Sequence, residues 1–323
     1  MTQLTIDKKT YACAADESVL DALLKEEIEV SYSCKKGTCH SCLMRCTDNV
    51  PPEAAQKGLK DTQKKQNYFL ACLCVPEQDM AIRLPEQSEL YSQGIVVENS
   101  LLNHNTLLLK VECQDRNDYF AGQFVNLQRE DGLTRSYSIA NTPQKSGVLE
   151  FHIRQLPDGK FSSWLHNEIK VGDSIAISEP QGHCFYMPER AEEDLVLIGT
   201  GTGLAPLVGI LHDALGKGHS GAISLFHGST EAEDLYRVDE MRALAKQHAN
   251  FTYFPCVSGS DVPEGFFAGR ADAVALAKRS EWKNLRLFLC GHPDMVSNMK
   301  MEGFMNGVSM NDIYTDAFEI AAQ

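Results

Sequence analysis

Cys34-Lys35-Lys36-Gly37-Thr38-Cys39-His40-Ser41-Cys42 sets three thiols in the spacing C-x4-C-x2-C, and a fourth follows in Tyr68-Phe69-Leu70-Ala71-Cys72 after twenty-nine intervening residues. Iron in a 2Fe-2S cluster needs soft thiolate donors, and this spacing of four thiols is one that supplies them. A tight loop carrying Gly37 and Thr38 lets backbone N–H groups approach the sulfurs while three thiolates converge, and Cys72 arrives from elsewhere. Cys46 and Cys74 lie close by but break the spacing and are assigned as neighbours. A four-cysteine zinc site stands as the alternative, although such sites favour paired C-x2-C spacings.

Outward from this loop, Thr2-Gln3-Leu4-Thr5-Ile6 alternates as a strand and Thr10-Tyr11-Ala12-Cys13 as its hairpin mate. Asp16 is the predicted N-cap of a helix whose apolar face is Val19, Leu20, Leu23, Leu24 and Ile28. Together with the four thiols, residues 1 to about 88 resemble a plant-type ferredoxin domain, which implies a beta-grasp fold.

The whole chain bounds what else is feasible. At 323 residues two or three domains are expected, and 43% hydrophobic with 23% charged residues is enough to bury real cores. A net charge of −14 argues against a general nucleic-acid or anionic-membrane binder. The start, Met1-Thr2-Gln3-Leu4, has no basic segment followed by an apolar one, so eleven cysteines are read as metal or redox chemistry in a cytoplasmic protein rather than as disulfides. The apolar stretch Leu195 to Leu211 is short for a membrane span and reads as a buried strand, turn and helix.

After Pro85-Glu86-Gln87-Ser88 the pattern turns to short alternating runs at 107–111, 123–127 and 149–153 separated by turn residues, which predicts a small antiparallel barrel. Within it, Arg135-Ser136-Tyr137-Ser138-Ile139-Ala140 supplies a fixed cation for a diphosphate, an aromatic face for a flat ring and a hydroxyl. Gly159-Lys160-Phe161-Ser162-Ser163 is a turn into a helix whose N–H groups and hydroxyls suit phosphate oxygens. The two segments resemble the R-x-Y-S and G-x-x-S motifs of the FAD barrel in the ferredoxin-NADP reductase superfamily. The resemblance implies that Arg135 holds the FAD diphosphate, Tyr137 stacks on the isoalloxazine and Ser138 sits near flavin N5. Gly159, Ser162 and Ser163 would take the phosphates, and Ile139, His152 and Ile153 would line the flavin.

Beyond residue 190, strands at 195–199, 223–227, 251–254 and 285–289 alternate with helical segments near 207–215, 234–248, 270–278 and 293–305, the pattern of a doubly wound parallel sheet. The first strand runs into Gly199-Thr200-Gly201-Thr202-Gly203-Leu204-Ala205-Pro206, a glycine turn before a helix, and the last into Cys290-Gly291-His292-Pro293. Both resemble nicotinamide-binding motifs of the same superfamily. They imply that Gly201, Thr202 and Gly203 approach the coenzyme, with Gly291 and Pro293, and that the Cys290 thiol sits beside nicotinamide C4. Ile313 to Phe318 resembles the tail that folds back on the flavin, with Phe318 as its cap. No Arg or Lys directly follows the second strand in His227-Gly228-Ser229-Thr230-Glu231, so Glu231 or Asp234 would accept from a ribose hydroxyl and NADH is the expected donor, while Arg237 keeps NADPH open.

The expected architecture is therefore multidomain α+β and α/β: a beta-grasp 2Fe-2S domain at 1–88, an antiparallel β-barrel FAD domain at 89–190 and an NAD(P)-binding domain at 191–323. This order resembles reductase components of multicomponent oxygenases, the benzoate dioxygenase reductase type, and implies an NADH-dependent oxidoreductase with Ser138, Cys290 and Phe318 at its catalytic centre. Electrons would pass from NADH through FAD and a 2Fe-2S cluster to a partner oxygenase, hydroxylase or other acceptor protein. The same modules resemble the CDP-6-deoxyglucoseen reductase group, which serves a deoxysugar dehydratase, and a non-catalytic redox sensor is the remaining alternative. Lys35 and Lys36, with Lys57, Lys60, Lys64 and Lys65, form a local basic group that reads either as an ordinary solvated polar surface or as a docking face for a partner.

Overall fold

The computed structural model describes residues 2–85, 90–113 and 118–318. The first sheet is built from β1 (Thr2–Ile6), β2 (Lys9–Cys13), β3 (Leu43–Cys46), β4 (Tyr68–Leu70) and β5 (Met80–Arg83), in the order β2-β1-β5-β3-β4. β1 pairs antiparallel with β2 and parallel with β5. Helix α1 (Val19–Lys25) lays Val19, Leu20 and Leu23 on this sheet, against Leu4, Met44 and Phe69 in one buried cluster. Its N-cap is Ser18 rather than the expected Asp16: the Ser18 hydroxyl accepts from Asp21 N at 3.1 Å, and the chain at Ser18 is still extended. A short helix, α2 (Asp61–Lys65), precedes β4.

The second sheet holds β6 (Tyr91–Leu101), β7 (Thr106–Glu112), β8 (Phe124–Gln128), β9 (Thr134–Ser138), β10 (Val148–Arg154) and β11 (Ser174–Ser178), all antiparallel, in the order β10-β7-β6-β11-β8-β9. It curls until its two edges meet, where Ala140 N donates to Glu150 O at 2.8 Å just beyond β9. Helix α3 (Lys160–Asn167) plugs one end of this barrel with Phe161 and Leu165. The turn residues of the sequence marked strands β7, β8 and β10. The longest strand, β6, carries a bulge between Val96 and Glu98 that interrupts its alternation.

The third sheet runs β15-β14-β13-β12-β16-β17, with every neighbouring pair parallel. Its strands are β12 (Asp194–Thr200), β13 (Ile223–Ser229), β14 (Phe251–Val257), β15 (Phe267–Ala268), β16 (Leu285–Gly291) and β17 (Ile313–Ala317). Between them lie α4 (Leu204–Gly216), α5 (Val238–Gln247), α6 (Ala271–Lys278) and α7 (Pro293–Met305). Separate apolar clusters line the two faces of the sheet, as a doubly wound sheet requires. The run expected to be a tail is an edge strand, β17, whose register sets Asp316 beside Cys290. The expected junction at residues 88 and 89 lies outside the described residues.

One charge is fully buried in this layer. Arg286, 1% exposed, donates to Met187 O at 2.6 Å and Arg190 O at 2.8 Å, lies over the Tyr186 ring and approaches Glu193 at 3.7 Å. Arg286→Met removes the cation and leaves two carbonyls and a carboxylate without it, so the variant should lose about 3 kcal/mol of stability. Chemical denaturation of the third sheet, followed by the fluorescence of buried Trp282, measures this.

Candidate functional site

The four motif thiols come together as two pairs. Cys34 N and Cys39 N donate across to Cys39 Sγ and Cys34 Sγ at 3.4 Å each, while Cys42 and Cys72 form the second interacting pair. Lys36 N at 3.3 Å and Thr38 N at 3.4 Å also point at Cys34 Sγ. Contact with Cys39, aided by these N–H groups against the cost of burial, brings the Cys34 thiol down to about 5. Contact with Cys42 lowers Cys72, while contact with their partner thiols together with burial raises Cys39 and Cys42. Among the described residues no three His, Cys, Asp or Glu side chains gather as for a single metal ion. Two pairs of thiols with N–H groups aimed at sulfur fit two irons, each held by two cysteines.

Gly37 has φ +75°, and a Cβ there would stand 2.3 Å from Leu73 Cδ1, so the loop can close over the sulfurs only with glycine at this position. Cys46 and Cys74 belong to the apolar core instead, and burial pushes the Cys74 thiol up to about 12.

A continuous cleft of about 1770 Å³ runs from the thiol loop, past β9 and the start of α3, to the carboxyl ends of β12, β13 and β16. That volume exceeds the range of about 300–1000 Å³ that holds one drug-sized ligand, and a flavin and a nicotinamide dinucleotide together call for such length. Arg135, Tyr137, Ser138, His152, Gly159 and Ser162 line it, and so do Gly201, Thr202, Gly291 and Phe318. Tyr137 leans on Phe161 with ring centroids 5.9 Å apart, which holds its ring at the wall. Ser162 Oγ accepts from Leu156 N at 3.1 Å and donates to Gly159 O at 3.2 Å, so it also shapes the turn that precedes α3.

Several expected contacts do not reach the wall. Ile139 and Ile153 are fully buried in the barrel core, and Ser163, Gly203, Glu231, Cys290 and Pro293 are absent from the lining. Ile153 sits between His152 and Arg154, both of which line the cleft, as strand alternation requires. Gly203 acts from behind: a Cβ there would fall 2.3 Å from Cys290 O, so the turn after β12 packs on the end of β16 only as glycine. Cys290 lies at the base of the cleft with its Sγ 3.7 Å from Cys184 Sγ, and burial raises its thiol well above the usual range, so it is a neutral thiol.

The sequence reading missed four contributors. Ser138 Oγ donates to Asp316 Oδ2 at 2.6 Å, joining the barrel to β17. Burial lifts the Asp316 carboxyl to about 6, against the opposing pull of that hydroxyl. His227, held neutral by burial with its pKa down to about 4, donates from Nε2 to Gly201 O at 3.2 Å and leaves Nδ1 for the Tyr253 hydroxyl at 3.3 Å. Arg154 and Arg270 add cations to the wall, at Gly201 and at the start of α6.

Arg237 is committed elsewhere. It pairs with Glu150 and Glu240, and its side chain is 14% exposed, so it is not a free cation for a 2′-phosphate. Burial opposes ionisation of Glu150, but His152, Arg237 and Lys110 outweigh it and draw its carboxyl down to about 2. Asp234 is likewise engaged: it accepts from Asn105 Nδ2 at 2.9 Å, a contact between β13's following loop and the barrel.

Paired thiols, a cleft with a flavin-type wall and a parallel sheet whose strand ends close it define an iron–sulfur flavoprotein reductase. Family models agree along the chain: a 2Fe-2S iron-sulfur cluster binding domain over residues 4–77, an oxidoreductase FAD-binding domain over 93–186 and an oxidoreductase NAD-binding domain over 197–300. The chain is 31% identical to the ferredoxin–NAD(P)+ reductase component of the naphthalene 1,2-dioxygenase system of Pseudomonas putida, over 94% of each. It is 29% identical to the phenol hydroxylase P5 protein of Acinetobacter pittii (strain PHEA-2), over 99% of this chain and 95% of that one. Among solved structures, the Amycolatopsis cytochrome P450 reductase GcoB matches with TM-score 0.70 and 25% identity, over 98% of this chain and 99% of that one. The chain belongs to the ferredoxin–NAD(P)+ reductase family whose members carry 2Fe-2S, FAD and NAD modules in one polypeptide. It is an oxidoreductase using these three groups, and among the described residues no helix is long and apolar enough to cross a membrane.

The thiol geometry makes a direct prediction. Cys72→Ser should abolish the visible absorption of the cluster and halve or eliminate bound iron, whereas Cys46→Ser and Cys74→Ser should keep both. Iron content and the visible spectrum of each purified variant decide the assignment.

Proposed function

We propose that this chain is the NADH-oxidising component of a cytoplasmic oxygenase or hydroxylase system, with electrons leaving from the cluster loop to a separate terminal protein. The observation that carries the reading is the continuous cleft, which joins the Cys34–Cys39 end of the thiol loop, the β9 segment and the carboxyl ends of the parallel sheet. Its full-length similarity to the naphthalene dioxygenase and phenol hydroxylase components supports the kind of partner. When bound, NADH supplies a hydride, FAD accepts the pair and the cluster carries the electrons singly.

The chain's own residues bind, orient and exclude water. Arg135 and the start of α3 hold the diphosphate, and Tyr137 covers one face of the flavin ring. Gly201 and Thr202, oriented through His227, take the coenzyme pyrophosphate and nicotinamide, with the neutral Cys290 thiol and Gly291 behind them. Ser138 Oγ keeps one exchangeable proton next to the flavin site, and Asp316 accepts it through a hydrogen bond that strengthens once the carboxyl is ionised. Phe318, whose N–H donates to Gly291 O at 2.8 Å, stands where arriving nicotinamide must displace a ring. Glu231, exposed next to Ser229 and Thr230 of the wall but not itself lining it, would have to turn inward to reach the adenosine ribose. The functional units are those divided near residues 88 and 190.

Coenzyme choice follows from charge. Arg237, bound to Glu150 and Glu240, is not available to a 2′-phosphate, and NADH is the donor of this reading. Lys35 pairs with Asp21 at 2.9 Å and lies exposed, like Lys36, beside Cys34, where it can meet an acidic partner.

The test is an anaerobic visible spectrum of the purified protein during titration with NADH and, separately, with NADPH. NADH should bleach flavin and cluster bands, with kcat/KM at least tenfold above that for NADPH; a protein that neither coenzyme reduces would refute the reading. The Asp316 carboxyl should add a second signature. Because it ionises near pH 6, the rate of flavin reduction should change through that pH in the parent protein, and Asp316→Asn should flatten the profile between pH 5 and 7 in stopped-flow measurements.

A further inference from the structure

The cluster loop and the flavin wall are joined by one buried amide. Asn126, on β8 and 2% exposed, donates from Nδ2 to Cys39 O at 2.8 Å, and its Oδ1 accepts from Ser136 Oγ at 2.7 Å. Its backbone N–H is fixed by Ser178 Oγ at 2.9 Å, so the side chain projects from a held strand. Only this orientation of the amide works, since the reverse would set its oxygen against the Cys39 carbonyl. Cys39 supplies one of the four thiols. Ser136 is the register partner of Asn126 on β9 and lies between Arg135 and Tyr137.

A second hydroxyl shares the site. Ser41, 8% exposed, has its Oγ 3.3 Å from Cys39 Sγ and 3.4 Å from Asn126 Oδ1. It owns one hydrogen for two acceptors. Ser136 already donates to Oδ1 at the shorter distance, so the Ser41 hydrogen is left for the sulfur. A hydrogen bond to a ligand sulfur stabilises the more negative, reduced cluster and raises its potential.

We propose that Asn126 is the positioning residue for electron transfer between flavin and cluster: it fixes the Cys39 loop against β9 and, with Ser136, turns the Ser41 hydroxyl onto the Cys39 sulfur. The proposal rests on the reading that electrons pass from flavin to cluster within this chain. Asn126 does not line the cleft, so its removal leaves hydride delivery intact.

The experiment uses the full-length protein loaded with FAD and cluster, mixed anaerobically with NADH while flavin and cluster bands are followed separately. An EPR-monitored redox titration of the cluster accompanies it. Asn126→Leu, nearly isosteric but apolar, should leave the rate of flavin reduction within twofold, slow cluster reduction at least tenfold and lower the cluster midpoint potential. Ser41→Ala should lower the potential while slowing transfer less. If Asn126→Leu folds poorly, Asn126→Ser, too short to span both partners, should show the same separation of the two rates, and Ser41→Ala alone still tests the potential. Cluster reduction rate and potential equal to the parent's in variants that retain iron and flavin would overturn the proposal, as would a loss of thermal stability with both unchanged. A parent protein whose cluster NADH never bleaches would instead refute the underlying reading, so the two failures are separable.

Discussion

Three sheets each bury a core of their own, yet a hydride and then single electrons must cross between them, and the placement of the sheets rests on a few polar contacts at the seams. Apolar burial drives each unit to fold but is non-directional, whereas a hydrogen bond between buried groups is specific in distance and angle. At the seam between the barrel and the third sheet, Ser138 meets Asp316, His152 meets the Tyr236 hydroxyl at 3.1 Å, and Glu150 meets Arg237. The loop before β7 adds Asn103 and Asn105, both turned onto Asp234. Between the first sheet and the barrel, Ser31 Oγ donates to Gly132 O at 2.7 Å, on the same side as the Asn126 amide. Loss of the His152–Tyr236 contact leaves a buried hydroxyl without that partner, and such directional bonds make the seams resist sliding more than their small number suggests.

The chemistry at the cleft depends on which groups these seams keep neutral. His152 and His227 are both depressed by burial, so neither adds a cation where a positively charged nicotinamide product must leave. Cys290 is held as a thiol by the same desolvation, with Cys184 beside it. Asp316 is lifted to about 6 because it is buried with the Ser138 hydroxyl as its side-chain partner. Glu150 shows the contrast: also largely drawn from water, it is surrounded by His152, Arg237 and Lys110 and stays ionised. Two carboxyls at one seam therefore have opposite duties, one fixing geometry and one holding a proton.

What the sequence made legible was local. The four thiols, the turn before α3 and the glycine turn after β12 are encoded by spacing within a few residues, or by a single long-range partner; the structure gathers the thiols in two pairs and brings Cys34, Cys39 and both turns to the cleft. What it hid depends on tertiary register. Asp316 matters because β17 docks parallel to β16, and nothing in Ile313 to Phe318 announces that pairing. Arg237 looks like a phosphate ligand in isolation and becomes a structural cation only when Glu150 of β10 is set beside it. The opposite error, counting Ile153 with His152, was avoidable, since successive residues of a strand face opposite ways.

The thiol loop shows how local and tertiary constraints combine. Spacing alone brings Cys34, Cys39 and Cys42 into one turn, and Gly37 lets that turn tighten beneath Leu73. Spacing does not decide which way the loop faces. Cys39 and Cys42 are buried while Cys34 and Cys72 remain partly exposed, so the thiol pairs each have one inner and one outer sulfur. Cys39 Sγ has the Ser41 hydroxyl beside it and the Cys39 carbonyl takes the Asn126 amide of the barrel, while Lys35 and Lys36 lie exposed beside Cys34. The Cys39 side of the loop is thus tied to the barrel, and the exposed lysines mark the side open to solvent. That tie is a property of the seam rather than of the loop, since Asn126 belongs to β8 and not to the thiol loop.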